Sequence, residues 1–536
     1  MIPADARTKR LTLVACILGS AIVFLDGSVV NVALPAIRSE LHTGLAAQQW
    51  IVEAYLLTLG SLLLVGGSLG DLYGRRRVFA VGLAGFGLTS LLCAIAPDAD
   101  LLIAMRGLQG IAGALLVPSS LAVITATFGP EERGAAIGSW TAWTGVAFIV
   151  GPLGGGLLVD AVSWRWIFGI NVPLVLANLW LLRFVPESAD EQMVRKVDFV
   201  GVLLCALGLA GPVFALIEQP GFGFADPLVW IPLIAGLALL GAFVLHERRT
   251  DHPMLPLELF RSRNFSIGNL TTLAMYGGLG AATFFVTIFL QQVAGWSAVA
   301  AGLSLLPVTA VMWLLSRRFG ALSDRIGPRG LMGFGPIIAG AGLAWMGILD
   351  AKVNYVIDLL PGVLLFGIGL SMTVAPLTNT VLGAVPQHHA GVASGANNAI
   401  ARVASLLAIA AVGAVVADRY AAALDDAVGG RPLSARERAA AAVMRDRPLS
   451  GGSATAPELD PAIRDASVDG YRWGLGVAGL LVVTGGAISL VGIVNPRRRE
   501  PEAAPVRDLG PLRLQHPCPE QRARAERATA DGRPVA

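Results

Sequence analysis

GSLGDLYGRRR, Gly67 to Arg77, returns far along the chain as GALSDRIGPR, Gly320 to Arg329. Gly stands first, Leu third, Asp fifth and Gly eighth in both. Each copy follows a long apolar run and precedes another, so each reads as a tight loop joining two helices. Paired loops of this kind mark two related bundles. The second copy departs from the first at Pro328, which replaces the leading Arg of GRRR.

The composition says what kind of helices these are. Of 536 residues, 54% are hydrophobic and 14% charged, against about 25% charged in soluble domains. Runs of about 20 apolar residues are membrane spans, and about fourteen can be placed between residues 11 and 494. The reading is an all-α integral membrane protein. A six-helix bundle is expected over 1–190, an inserted pair over 191–259 and a second six-helix bundle over 260–495. Alternate loops carry the arginines: Arg7 and Arg10, Arg75 to Arg77, Arg133, Arg195, Arg248 and Arg249, Arg317 and Arg318, Arg497 to Arg499. Under the positive-inside rule both termini are then cytoplasmic. The long loop 418–470 is expected outside, with a short surface helix from Ala435 to Arg445. The tail 496–536, rich in Pro, Arg, Ala and Glu, is expected to be disordered and cytoplasmic.

Composition also excludes. The three lysines, Lys9, Lys196 and Lys352, stand in no phosphate-binding loop, so energy comes from an ion gradient, a partner or the solute's own gradient. Cys16, Cys93, Cys205 and Cys518 have no metal or disulfide spacing. No nucleophile–base set is visible, and no cofactor, metal or nucleic acid is expected.

The first span contains LDGSVVNVALP, Leu25 to Pro35. An ionisable group at mid-span costs roughly 2.5–3.5 kcal/mol on insertion scales and marks function by default. Asp26 is therefore a candidate, and at 1.5 Å of rise per residue it shares the outer half of the first bundle with Glu53 and Arg106. Arg106 is expected to pair with Asp26 or Glu53 in one state and to lose that partner in another. A carboxyl without the Arg takes up a proton, and one beside it releases the proton.

These residues carry a family resemblance. GSLGDLYGRRR is similar to the loop signature of the major facilitator superfamily, and LIAMRGLQGIAGA, Leu102 to Ala114, resembles its fourth-helix motif. GVAFIVGPLGGG, Gly145 to Gly156, resembles the fifth-helix motif associated with antiporters. LDGSVVNVALP and WRWIFGINVP, Trp164 to Pro173, resemble the fourteen-span drug:proton antiporter branch (EmrB/QacA-like). The resemblance implies two pseudo-symmetric six-helix bundles plus two inserted helices. It also implies alternating access and export of hydrophobic or cationic drugs in exchange for protons; a bacterial cytoplasmic membrane and a monomer are expected as well. A proton-coupled importer, an exporter of an endogenous metabolite or lipid, and a non-transporting membrane sensor or assembly partner are the competing readings.

Three further groups of residues follow. Gly67, Asp71, Gly74, Arg75 and Arg76, with Asp324 and Arg325 in the second copy, are expected to form a cytoplasmic gate. In it Asp71 pairs with Arg75 and faces a helix N-terminus of the other bundle, where negative charge is favoured. Gly151, Pro152, Gly154 and Gly155 are expected to bend the fifth span against its neighbours. Trp140, Trp143, Tyr276, Phe284, Phe285 and Trp313, with Asn398 and Arg402, are expected around a substrate cavity, where rings favour cations.

Overall fold

The computed structural model describes residues 5–187, 198–223, 225–250, 253, 255–385, 390–429, 432–452 and 455–495. The expectation for the tail 496–536 lies outside the described residues. Among the described residues all regular structure is helical. The first half holds α1 (Ala6–Leu41), α2 (Leu45–Tyr73), α3 (Arg75–Ala94), α4 (Ala99–Thr127) and α5 (Pro130–Ala161), then α6 (Trp166–Gly169) and α7 (Asn171–Leu181), which share one span. Then come α8 (Phe199–Phe222) and α9 (Pro227–Glu247). The second half holds α10 (Arg263–Gln292), α11 (Ala298–Ser304), α12 (Leu306–Ile326), α13 (Pro328–Gly347), α14 (Leu360–Gly383), α15 (Ala390–Gly429), α16 (Ala435–Arg445) and α17 (Asp460–Gly492).

Twelve helices among the described residues are long and apolar enough to cross a membrane. Between them stand α2, of 29 residues, and α5, of 32. In a bilayer only a helix or a closed barrel satisfies its own backbone polar groups, which is why apolar runs of this length settle as helices. Short polar residues start them: Asp5 accepts from Thr8 N at 2.9 Å, and Asp98 accepts from Leu101 N at 2.8 Å. We call the end of the bundle where α1 begins the proximal face and the opposite end the distal face.

The repeated loops adopt the same turn. Gly74 closes α2 and opens α3 at φ 100°, and Gly327 closes α12 and opens α13 at φ 90°. A side chain at either φ is strained, which explains the glycine at the eighth position of both copies.

Within the first half α1 packs on α4 and α5, and α4 on α2 and α3. Within the second half α10 packs on α15 and α17, and α13 on α14 and α17. The inserted helices pair with each other, and α8 lies along the seam where α2 meets α15. There Val213 and Ile217 bury against Leu406 and Ala410, and Trp50 donates to Glu218 at 2.8 Å.

The long loop is shorter than the apolar pattern implies. α15 continues to Gly429 and α17 already begins at Asp460, because Tyr420, Leu424, Ile463 and Ala466 bury one another beyond the spans. α16 lies at the expected place, opened by a Ser434–Glu437 capping box. After it, Leu449 turns through φ 56° and is fully buried in the main core.

Candidate functional site

The site is built on α1, α3, α4 and α7, which present polar side chains to one another inside the first bundle. Asp26 and Arg106 are buried, at 0% and 1% exposure, and Arg106 Nη1 donates to Asp26 Oδ2 at 2.5 Å. The other Asp26 oxygen accepts from Gln109 Nε2 and from Asn171 Nδ2, both at 3.0 Å. Ser90 Oγ accepts from the same two amides, at 2.7 and 3.2 Å. Arg106 also donates through Nε to Ile51 O at 3.0 Å and through Nη1 to Gln109 Oε1 at 2.6 Å. Its guanidinium lies 4.2 Å from the centre of the Tyr55 ring. A buried ion pair persists only when further hydrogen bonds satisfy its remaining atoms, and here two side-chain amides and the Ile51 carbonyl contribute them.

Gln109, Asn171 and Ser90 are absent from the sequence-level set, because neutral polar residues are unremarkable in apolar spans. Gln109 left one signal: it stands three residues after Arg106, on the same helix face.

Glu53 does not join this network. Ile51 and Tyr55 face Arg106, and two residues rotate a helix by about 200°, so Glu53 looks the opposite way. It shares a face with Gln49, which donates to Ile409 O at 2.9 Å, and with Gly60, whose added Cβ would meet Arg402 Cβ at 3.6 Å. Glu53 therefore faces the α2–α15 seam. Both its carboxyl oxygens are buried without a hydrogen-bond partner among the described residues.

Each hydrogen bond that joins the two halves among the described residues lies in the distal half. Asp160, at the end of α5, accepts from Ala298 N at 3.2 Å and Val299 N at 3.0 Å, at the start of α11. Gln291 donates to Val32 O at 3.1 Å. Arg38 donates to Gln292 and to two carbonyls of the long loop, Pro448 O at 3.2 Å and Arg447 O at 3.4 Å.

The glycines of α5 divide between these contacts. A Cβ at Gly151 would stand 2.1 Å from Ser28 Oγ, and one at Gly155 2.0 Å from Val29 Cγ2. Pro152 lies against Gly302 of α11. Gly154, grouped with them by motif, meets nothing within 4 Å.

At the proximal end, Arg75 donates to Ala122 O at 3.2 Å, and Arg76 N donates to Glu187 Oε1 at 3.0 Å. The roles expected of Gly67 and Asp71 lie outside the described side chains. Asp324 and Arg325 are exposed.

The expected ring of aromatics does not assemble. Phe284 and Phe285 are fully buried against each other, with centroids 4.8 Å apart. Trp140 is buried and donates to Ser20 Oγ at 3.1 Å. Trp143 and Trp313 are exposed, and Asn398 is exposed and donates to Ser394 O at 3.1 Å. Tyr276 packs at the rim of the core, its carbonyl accepting from Ser405 Oγ at 2.9 Å. A pocket does open between the halves. Aliphatic and hydroxyl-bearing residues line most of it, Ser28, Thr283, Thr287 and Thr309 among them, with the amide of Asn31.

The family model described as Major Facilitator Superfamily matches residues 16–409. The chain is 34% identical over 507 residues to the tetracenomycin C resistance and export protein of Streptomyces glaucescens, covering 92% of this chain and 94% of that protein. It is 36% identical over 422 residues to the puromycin resistance protein of Streptomyces alboniger, covering 77% of this chain and 83% of that protein. In fold it resembles the crystal structure of a bacterial homolog of the human lysosomal transporter Spinster, in an inward-facing and unoccupied conformation. There the TM-score is 0.67 at 17% identity, covering 91% of this chain and 98% of that one.

Proposed function

The chain belongs to the Major Facilitator Superfamily, a family of membrane transporters rather than enzymes, and from that premise we propose that it exports amphiphilic compounds, antibiotics among them, in exchange for protons. The relatives above, named for antibiotic resistance and export, support the direction and the class of cargo. The observation that carries proton coupling is the Asp26–Arg106 pair, buried and satisfied in the conformation described.

The cycle follows from that pair and from the distal contacts. Among the described residues the hydrogen bonds that tie the halves are distal, which supports a reading in which the proximal side opens. If both termini are taken as cytoplasmic, as the loop arginines favour, that side faces the cytoplasm of a bacterium. Rocking the halves slides α1 and α2 past α10 and α15, and in this reading the movement is relayed to the α1–α4 contact inside the first bundle. When Asp26 parts from Arg106 it takes a proton from outside, since an unpaired charge at that depth is costly. Return to the pair releases the proton inside. Glu53, on the seam that must slide, is a second carboxyl exposed to the same change. The membrane potential supplies about 2.3 kcal/mol per charge per 100 mV.

The test is substrate-induced proton movement in inside-out vesicles carrying wild type or Asp26→Asn, with a panel of antibiotics and dyes. A compound that dissipates an imposed pH gradient with wild type alone supports export through Asp26. Equal solute flux in both proteins without proton movement sinks the antiport reading.

A further inference from the structure

We propose that Arg402 is the anchor for an acidic group of the transported compound, so that the preferred cargo is an amphiphilic organic anion rather than a cation. The inference rests on the export reading and names the substrate class of its cavity.

Arg402 lies on α15 and reaches across the gap between the halves. Its guanidinium stands 6.0 Å from the centre of the Phe24 ring of α1. On the α2 side its Cβ faces Gly60, 3.6 Å from where a Cβ there would stand. The Tyr55 hydroxyl is already committed as a donor to Val23 O, at 3.2 Å. No carboxylate pairs with Arg402 among the described residues. Asp26 is taken by Arg106, and Glu53 makes no hydrogen bond. A guanidinium carries five donors and no acceptor, so a half-buried one held against an aromatic face has donors to offer. The second intramembrane arginine of this chain thus stands apart from the first, which is engaged by Asp26, Gln109 and Ile51 O.

The guanidinium also sits in line with the pocket. Phe24 is one helical turn before Ser28, a pocket-lining residue, on the same face of α1. Ser405, one turn after Arg402, donates to Tyr276 O, and Tyr276 lies one turn before the pocket-lining Leu279. Arg402 therefore lies immediately proximal to the pocket, on the open side. The pocket holds no ionisable side chain; its polar groups are hydroxyls and Asn31, whose Oδ1 lacks a partner. Such a wall suits an uncharged ring system, and the neighbouring guanidinium suits a carboxylate or phenolate on its trailing edge, bound by charge-assisted hydrogen bonds. A cation would meet Arg402 with like charge and find no acid in the pocket to offset it.

The test compares aromatic carboxylates with their primary carboxamides, for two ring systems, naphthalene and anthraquinone. Binding to the purified full-length protein is measured at equilibrium near neutral pH. Wild type is expected to bind each carboxylate at least tenfold more tightly than its amide. Arg402→Gln should bring that ratio close to one, and Arg402→Lys should retain part of it, because the charge stays while the planar fork is lost. A wild-type ratio of one or less overturns the proposal, as does a ratio that survives in Arg402→Gln. If Arg402→Gln does not fold, the Lys variant and Phe24→Ala, which removes the ring beside the guanidinium, carry the same comparison. The vesicle experiment with Asp26→Asn fails or succeeds independently: a charge preference without proton movement would leave the anchor and remove the antiport reading.

Discussion

At the scale of the residue, the first bundle is organised around one buried ion pair. Removing one partner of such a pair leaves an uncompensated charge and costs about 3–5 kcal/mol in soluble proteins. Arg106→Gln should therefore lower the thermal stability of the purified protein sharply as well as abolish transport. Asn171→Ala removes one of the donors to Asp26 and should cost less, about 1–3 kcal/mol, measured by thermal unfolding. Equal loss in both would mean that the amide, not the arginine, holds the carboxylate. Asp26 and Arg106 are each legible in the sequence because charge in an apolar run is conspicuous, but the choice between Asp26 and Glu53 as partner is not. Glu53 was equally conspicuous but faces the other way, and linear depth along a span carries no information about azimuth.

At the scale of the element, the fifth helix explains its own glycines. Gly151 and Gly155 lie against Ser28 and Val29 of α1, while Gly154 points into open space. Gly151→Val and Gly155→Val should separate α5 from α1 and lose drug export, whereas Gly154→Ala should transport close to wild type. Drug accumulation in cells expressing each variant decides it, and equal loss in all three would show that the bend, not the contact, matters. The paired turns behave as the repeat predicts. Gly74→Ala forces a side chain onto a positive-φ, extended-ψ backbone at a cost of roughly 1–3 kcal/mol, and Gly327→Ala should cost a similar amount. The aromatic residues were the weakest part of the sequence reading. Core, cavity and lipid all accept a ring, so Phe284 and Phe285 in the core and Trp313 at 82% exposure look alike in one dimension.

At the scale of the whole molecule, the distal closure sets the conformation. Asp160 caps α11 across the gap between halves, an anion at a helix N-terminus. The sequence reading expects a comparable device at Asp71 on the opposite face, which lies outside the described side chains. Arg38 and the buried Leu449 bring the long loop into the same closure. In a background without the native cysteines, a disulfide between Asp160→Cys and Ala298→Cys should trap the distal-closed state. Transport should stop under oxidation and recover on reduction. Undiminished transport in the oxidised protein, with the cross-link verified, would exclude rocking about this contact.

The sequence by itself determined that the chain is a helical membrane protein built from two related bundles, with a buried acid and arginine in the first. Hydropathy, the repeated turn and the cost of burying charge are all local along the chain, and one dimension records them. Only the tertiary structure decided which way each side chain faces: Gln109 and Asn171 toward Asp26, Glu53 toward the seam, Arg402 toward Phe24 of α1, Asp160 toward the other half. Those orientations arise from the rotation of each helix about its axis, which packing against several neighbours sets jointly and no single stretch of sequence encodes.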